Sequence, residues 1–107
     1  MEKRDRTRKK VRITIQAEPG AIRGYTSDIS RGGLFIVTTK LLQPGTRIRL
    51  KVATESGPAL GIGTVKWAKR VPPQLIRDMR GGMGVEFTWL SPELKALVES
   101  MFGEKPV

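Results

Sequence analysis

Arg47-Ile48-Arg49-Leu50-Lys51-Val52 alternates without a break, three cations interleaved with three aliphatic residues. Successive side chains of a strand point to opposite faces, so the hexamer reads as one strand of an antiparallel sheet, apolar side inward and basic side to water. Turn chemistry bounds it, with Leu42-Gln43-Pro44-Gly45 before and Thr54-Glu55-Ser56-Gly57-Pro58 after. The neighbouring segments repeat the theme. Residues 11–16 alternate with period two and run into the turn Glu18-Pro19-Gly20-Ala21. Residues 22–28 form another strand, Gly32-Gly33 interrupts it, and residues 34–38 resume as a continuous apolar strand. Past the hexamer, a longer strand runs from Leu60 to about Arg70, and its Gly61 and Gly63 predict a bulge or sharp bend of the kind that closes small barrels. Pro72-Pro73 ends that strand, residues 71–82 connect, and residues 83–88 are the last strand.

Ser91-Pro92-Glu93 changes the period. A Ser N-cap, Pro at the first helical position and an acid near the positive end of the dipole start a helix. Leu94, Leu97, Val98, Met101 and Phe102 then make one apolar stripe over about 92–102, and Gly103 stops it. Five or six short strands followed by one amphipathic helix give a mainly β domain, a small antiparallel β-barrel with a C-terminal α-helix laid against it.

The chain has 107 residues, one domain's worth, with 38% hydrophobic and 28% charged residues, as expected for a globular protein. It contains no Cys and no His. Disulfides, thiol nucleophiles and imidazole acid–base chemistry are thereby excluded, as are the usual zinc sites. The carboxylates are scattered singly, without the paired spacing of metal or acid–base work, so no enzyme, no catalytic residue and no metal site is expected. No apolar run approaches a membrane span, and no apolar stretch follows the charged N-terminus, which predicts a cytoplasmic protein.

Charge is the strongest compositional signal. The net charge is +10, and residues 1–12 carry seven basic side chains against two acidic ones. Residues 1–12 therefore read as a basic, flexible N-terminal arm preceding a barrel domain over 11–107, and such an arm implies an anionic partner.

Polar groups suited to that partner gather in two places. Arg4 and Arg8 lie four residues apart, about 13 Å along extended chain and on the same side. Each guanidinium fork matches phosphate oxygens and equally the O6 and N7 edge of guanine. In the strand over 22–30, Tyr25 and Ile29 are expected to face the core, leaving Asp28 and Ser30 together on the outer face. Asp28 there can accept from the ring N–H and exocyclic amine of a guanine, and Ser30 adds a hydroxyl. Gly32 and Gly33 admit positive φ and let a ligand approach the backbone. Each feature also has a plainer explanation: Asp28 and Ser30 bonding their own backbone at a strand end, the glycines making only a hairpin turn, and the arm idle.

Taken together, Arg4-x-x-x-Arg8 and, about 20 residues later, Asp28-x-Ser30-x-x-Gly33 resemble the PilZ domain family, whose RxxxR and (D/N)xSxxG motifs bind the bacterial second messenger cyclic di-GMP. The resemblance extends to a six-stranded barrel, a Gly84-Val85-Glu86-Phe87 last strand and a C-terminal helix, roughly from Lys3 to Phe102. It implies that Arg4 and Arg8 contact guanine edges and phosphates, that Asp28, Ser30 and Gly33 hold a guanine from the barrel side, and that Lys3 bears on ligand stoichiometry. Arg6, Arg31 and Gly32 are additional candidate contacts. The register Arg8-x-x-x-Arg12 fits worse, because Arg12 falls inside the alternating strand.

The resulting expectation is a non-catalytic cyclic di-GMP receptor or adaptor with no cofactor, whose arm folds onto the barrel when ligand arrives and presents a new surface to a downstream protein partner. Two other functions compete. A small barrel binding single-stranded nucleic acid suits the charge, but its stacking aromatics are missing as a closely spaced set on one strand, and several of the six aromatics are expected in the core. A degenerate PilZ module serving only protein interaction is the third.

Overall fold

The computed structural model describes residues 9–75 and 79–102. Six antiparallel strands close into a barrel: β1 (Lys9–Glu18), β2 (Ile22–Ser30), β3 (Gly33–Val37), β4 (Arg47–Val52), β5 (Ala59–Lys69) and β6 (Gly82–Leu90), followed by the helix α1 (Pro92–Phe102). The order around the barrel is β1-β2-β3-β6-β5-β4, back to β1. A short 3-10 turn, Pro73–Leu75, sits in the β5–β6 connection. Among the described residues no helix is long and apolar enough to cross a membrane.

β4 behaves as its alternation requires: Ile48, Leu50 and Val52 are buried, while Arg47, Arg49 and Lys51 are exposed. Ile15, Ile22, Ile29, Leu34, Ile36 and Val65 join them in one continuous core. The helix closes one side of that core. Leu94 and Val98 are buried, with Leu97, Met101 and Phe102 packed beside them, so the apolar stripe docks as expected. Ser91 Oγ accepts from Leu94 N at 3.1 Å, the N-cap bond, and from Leu60 N at 3.3 Å, tying the helix start to β5. The stop at Gly103 lies outside the described residues.

Strand ends move by a few residues, with physical reasons. β1 begins at Lys9 rather than residue 11, because its backbone already pairs with β2 through Lys9↔Ile29 and Lys10↔Asp28. β3 begins at Gly33, which pairs with Ser30 across a two-residue turn made by Arg31 and Gly32. Positive φ occurs at Gly20, Ala21, Gly45 and Gly57 and at neither Gly32 nor Gly33, so the expected conformational role of that glycine pair is corrected.

Strict alternation also fails in β2. Thr26 and Ile29 are both buried although they lie three positions apart, an odd offset that would put them on opposite faces of a regular strand, so a bulge must lie between. The β2–β3 register shifts there, from Thr26↔Ile36 to Asp28↔Phe35. Tyr25 therefore points away from the core, contrary to expectation, and the Arg12 guanidinium lies 3.8 Å from its ring centroid. β5 shifts register against β6 between Ile62 and Gly63, as its glycines predict, and again between Val65 and Trp67. The second shift leaves Val65 in the core and turns Trp67 outward, 50% exposed.

Candidate functional site

The β2 bulge builds the site. Thr26, inside the barrel, donates its hydroxyl to the Asp28 carbonyl at 2.8 Å and so holds the extra residue, Ser27, in place. With Ile29 buried on the far side of the bulge, Ser27, Asp28 and Ser30 all line one outward groove. Asp28 and Ser30 thus share a face as the sequence predicts, although the bulge rather than simple alternation accounts for Ile29. Ser30 is almost enclosed, and its hydroxyl donates to the Gly33 carbonyl across the turn at 3.3 Å. That bond serves the hairpin, while the hydroxyl oxygen keeps its acceptor capacity.

Gly33 also has a packing role that the sequence did not announce. A methyl added at its Cα would collide with the Val85 carbonyl oxygen of β6. The missing side chain lets β3 and β6 approach closely, and Phe87 N donates to the Gly32 carbonyl at 2.8 Å, stitching the turn to the same strand. Gly32 itself has open space where a side chain would go. Both glycines line the groove. Arg31, at the tip, turns toward α1: its Nε lies 3.6 Å from Glu99 Oε1 and its guanidinium 5.0 Å from the Phe102 ring centroid.

The floor comes from a register row that crosses four strands, Asp28↔Phe35↔Gly84↔Trp67. Gly84 has no side chain to block it, so the Trp67 indole lies over β6 and stacks on Phe35, centroids 5.3 Å apart at 21°. Lys66, Lys69 and Arg80 stand along the opposite wall, with Lys66 3.6 Å from Glu86 Oε1. The groove encloses about 680 Å³. An acceptor, hydroxyls, a flat aromatic floor and a cationic wall suit a planar, hydrogen-bonding, anionic ligand. Among the described residues no three His, Cys, Asp or Glu side chains gather to hold a metal.

Sequence reasoning found the Asp28 side of this groove and missed the Trp67 side. Phe35 and Trp67 sit on strands far apart in sequence, and only the pairing through β6 brings them together. The one local signal was Gly84, a glycine in mid-strand, which marks close approach by a neighbour. The expectation that several aromatics belong to the core holds for Phe87 and Phe102, which pack against it partly buried, and fails for the rest: Trp67 and Trp89 are half exposed and Tyr25 faces out. Lys3, Arg4, Arg6 and Arg8 lie outside the described residues. Arg12 lies within β1, consistent with the preference for the Arg4/Arg8 register.

Comparison with known proteins agrees with this architecture. A family model for the PilZ domain matches residues 2–103. Among solved structures, that of the Bacillus subtilis inhibitor of motility (MotI/DgrA) superposes with a TM-score of 0.73 at 19% identity, covering 94% of this chain and 49% of that one. The chain thus spans about half the length of that neighbour, and the likeness is one of fold. No curated protein matches the sequence. With a six-stranded closed barrel, a C-terminal helix and a family match over nearly every residue, the chain belongs to the PilZ domain family.

Proposed function

We propose that this chain is a non-catalytic receptor for cyclic di-GMP, the ligand class of its family, held between the arginine arm and the groove beside β2. The observation that carries the proposal is the shared outward face of Asp28 and Ser30, next to the point where β1 begins. Lys10 pairs with Asp28 and Lys9 with Ile29, so in sequence Arg8 comes one residue before the strand that pairs beside Asp28. Arg4 is four residues further, within about 15 Å of Arg8 at full extension. In this reading Asp28 accepts from a guanine edge, Ser30 and the turn backbone flank it, and Arg4 and Arg8 take phosphates and the second edge. Lys3, Arg6 and Arg31 are secondary contacts. The Phe35–Trp67 pair offers a stacking surface, and the arm, closing over bound ligand, becomes the surface a partner protein reads.

Thermal unfolding with and without cyclic di-GMP tests this. At about 100 times Kd the ligand adds roughly 2.7 kcal/mol. Arg8→Ala and Asp28→Ala each abolish the shift while leaving the fold intact. Salt-steep binding to single-stranded DNA with no cyclic di-GMP shift would favour the nucleic-acid alternative instead. Amide exchange at residues 3–10 that is identical with and without ligand would rule out the closing arm.

A further inference from the structure

Around the barrel from the Asp28 groove, β1, β4, β5 and the end of β6 form a second outward face that shares no lining residue with the first. Two register rows organise it, Glu18↔Arg49↔Ile62↔Trp89 and Gln16↔Lys51↔Leu60. Down β4 runs a column of cations, Arg47, Arg49 and Lys51, and beside it on β5 runs Thr64, Ile62 and Leu60. Leu60 is 47% exposed and Trp89 50%. Together with Arg49 and Lys51 they line a groove of about 480 Å³. A lone exposed Leu or Trp is ordinary, but contiguous apolar side chains edged by charge mark an interaction surface.

The cations of this face carry no ion pair within the described residues. The nearby carboxylate, Glu18, accepts from Ala21 N at 3.2 Å and is engaged in its own turn. We infer that the face docks an acidic amphipathic helix of a partner protein, its apolar stripe on Leu60, Ile62 and Trp89 and its acidic flank along Arg47, Arg49 and Lys51. The spacing fits. Alternate residues of a strand repeat every ~6.7 Å, and acidic residues one helical turn apart repeat every ~6 Å, so two or three pairs form in register.

Other occupants match less well. The barrel is closed, so a partner strand finds no free edge to extend and recognition must run through side chains. Single-stranded nucleic acid needs successive aromatic platforms, and this face has one aromatic flanked by aliphatic residues. Trp and Arg beside exposed aliphatic side chains is instead the composition of protein hot spots. The inference holds whether or not the Asp28 groove takes a nucleotide.

The test is an amide chemical-shift titration of the full chain with a synthetic helical peptide bearing one Leu stripe flanked by Glu, against the same peptide with Lys in place of Glu. The expected result is shifts confined to residues 47–51, 60–62 and the Trp89 indole with the Glu peptide only. Trp89→Ala, which leaves charge untouched, weakens binding about tenfold or more. The double variant R49E/K51E loses the Glu peptide and gains the Lys peptide, while its unliganded spectrum stays folded. Shifts centred on residues 1–12, indifference to Trp89→Ala, or a preference of the same face for oligo-dT or phosphatidylglycerol vesicles would overturn the inference.

Discussion

The two outward faces of this barrel are built by opposite rules. Along β4 the side chains alternate without interruption, its pairings with β1 and β5 keep one register, and the exposed cations stand in a straight column. On β2, β3 and β6 the alternation is broken by a bulge at Ser27 and relieved by Gly33 and Gly84, which give up side chains so that strands and an indole can approach. The regular face keeps its β4 pairings intact and shapes its groove with side chains alone, Leu60, Ile62 and Trp89 edged by Arg49 and Lys51. The irregular one spends local order on a shaped groove, and its residues are tied to the core by single contacts that substitution can remove.

The sharpest way to separate the two is Gly33→Ala. Its methyl meets a backbone carbonyl rather than a movable side chain, so a loss of roughly 3 kcal/mol or more in urea unfolding is expected. Gly32→Ala, one residue away in open space, should stay within about 0.5 kcal/mol, as should Arg49→Ala on the regular face. If both glycine variants unfold alike, the close β3–β6 approach is not what Gly33 provides.

Thr26→Val comes next. It keeps the shape of a buried side chain but removes the hydroxyl that bonds the Asp28 carbonyl, for an expected loss of about 1–3 kcal/mol. Because that bond holds the bulge, amide shifts at Ser27 and Asp28 should exceed those elsewhere in β2. Even changes along the whole strand would mean that the bulge is held by other contacts.

These variants also mark what the residues disclosed before any coordinates. The closed barrel, the helix and the outward pairing of Asp28 with Ser30 were legible, because period-two and period-3.6 patterns, turn residues and an N-cap are local signals. β4 could be read without error. The burial of Thr26 and the exposure of Tyr25 could not, since a bulge reverses facing without leaving a residue type that announces it. Trp67 is the clearest case. Its identity suggests burial, and its actual position over Gly84 depends on a partner strand more than ten residues away. Legibility ended where long-range pairing took over from local pattern.

The smallest expected effect is Arg31→Ala. Its ion pair with Glu99 is partly solvated and its ring contact with Phe102 is long, so stability should fall by less than about 1 kcal/mol. Nuclear relaxation or exchange should nevertheless register faster opening at the last turn of α1. Unchanged dynamics there would show that the turn and the helix end merely touch.

That contact gives α1 an unusual mechanical position. Its first turn is fastened to β5, where Ser91 N donates to Leu60 O at 2.9 Å and Ser91 Oγ accepts from Leu60 N, and its last turn rests against Arg31. Eleven residues make a rod about 16 Å long. A tilt of ~10° about the fastened end would carry the last turn through about 3 Å, enough to break the Arg31–Glu99 salt bridge, so that bridge reads the angle at which α1 lies on the barrel.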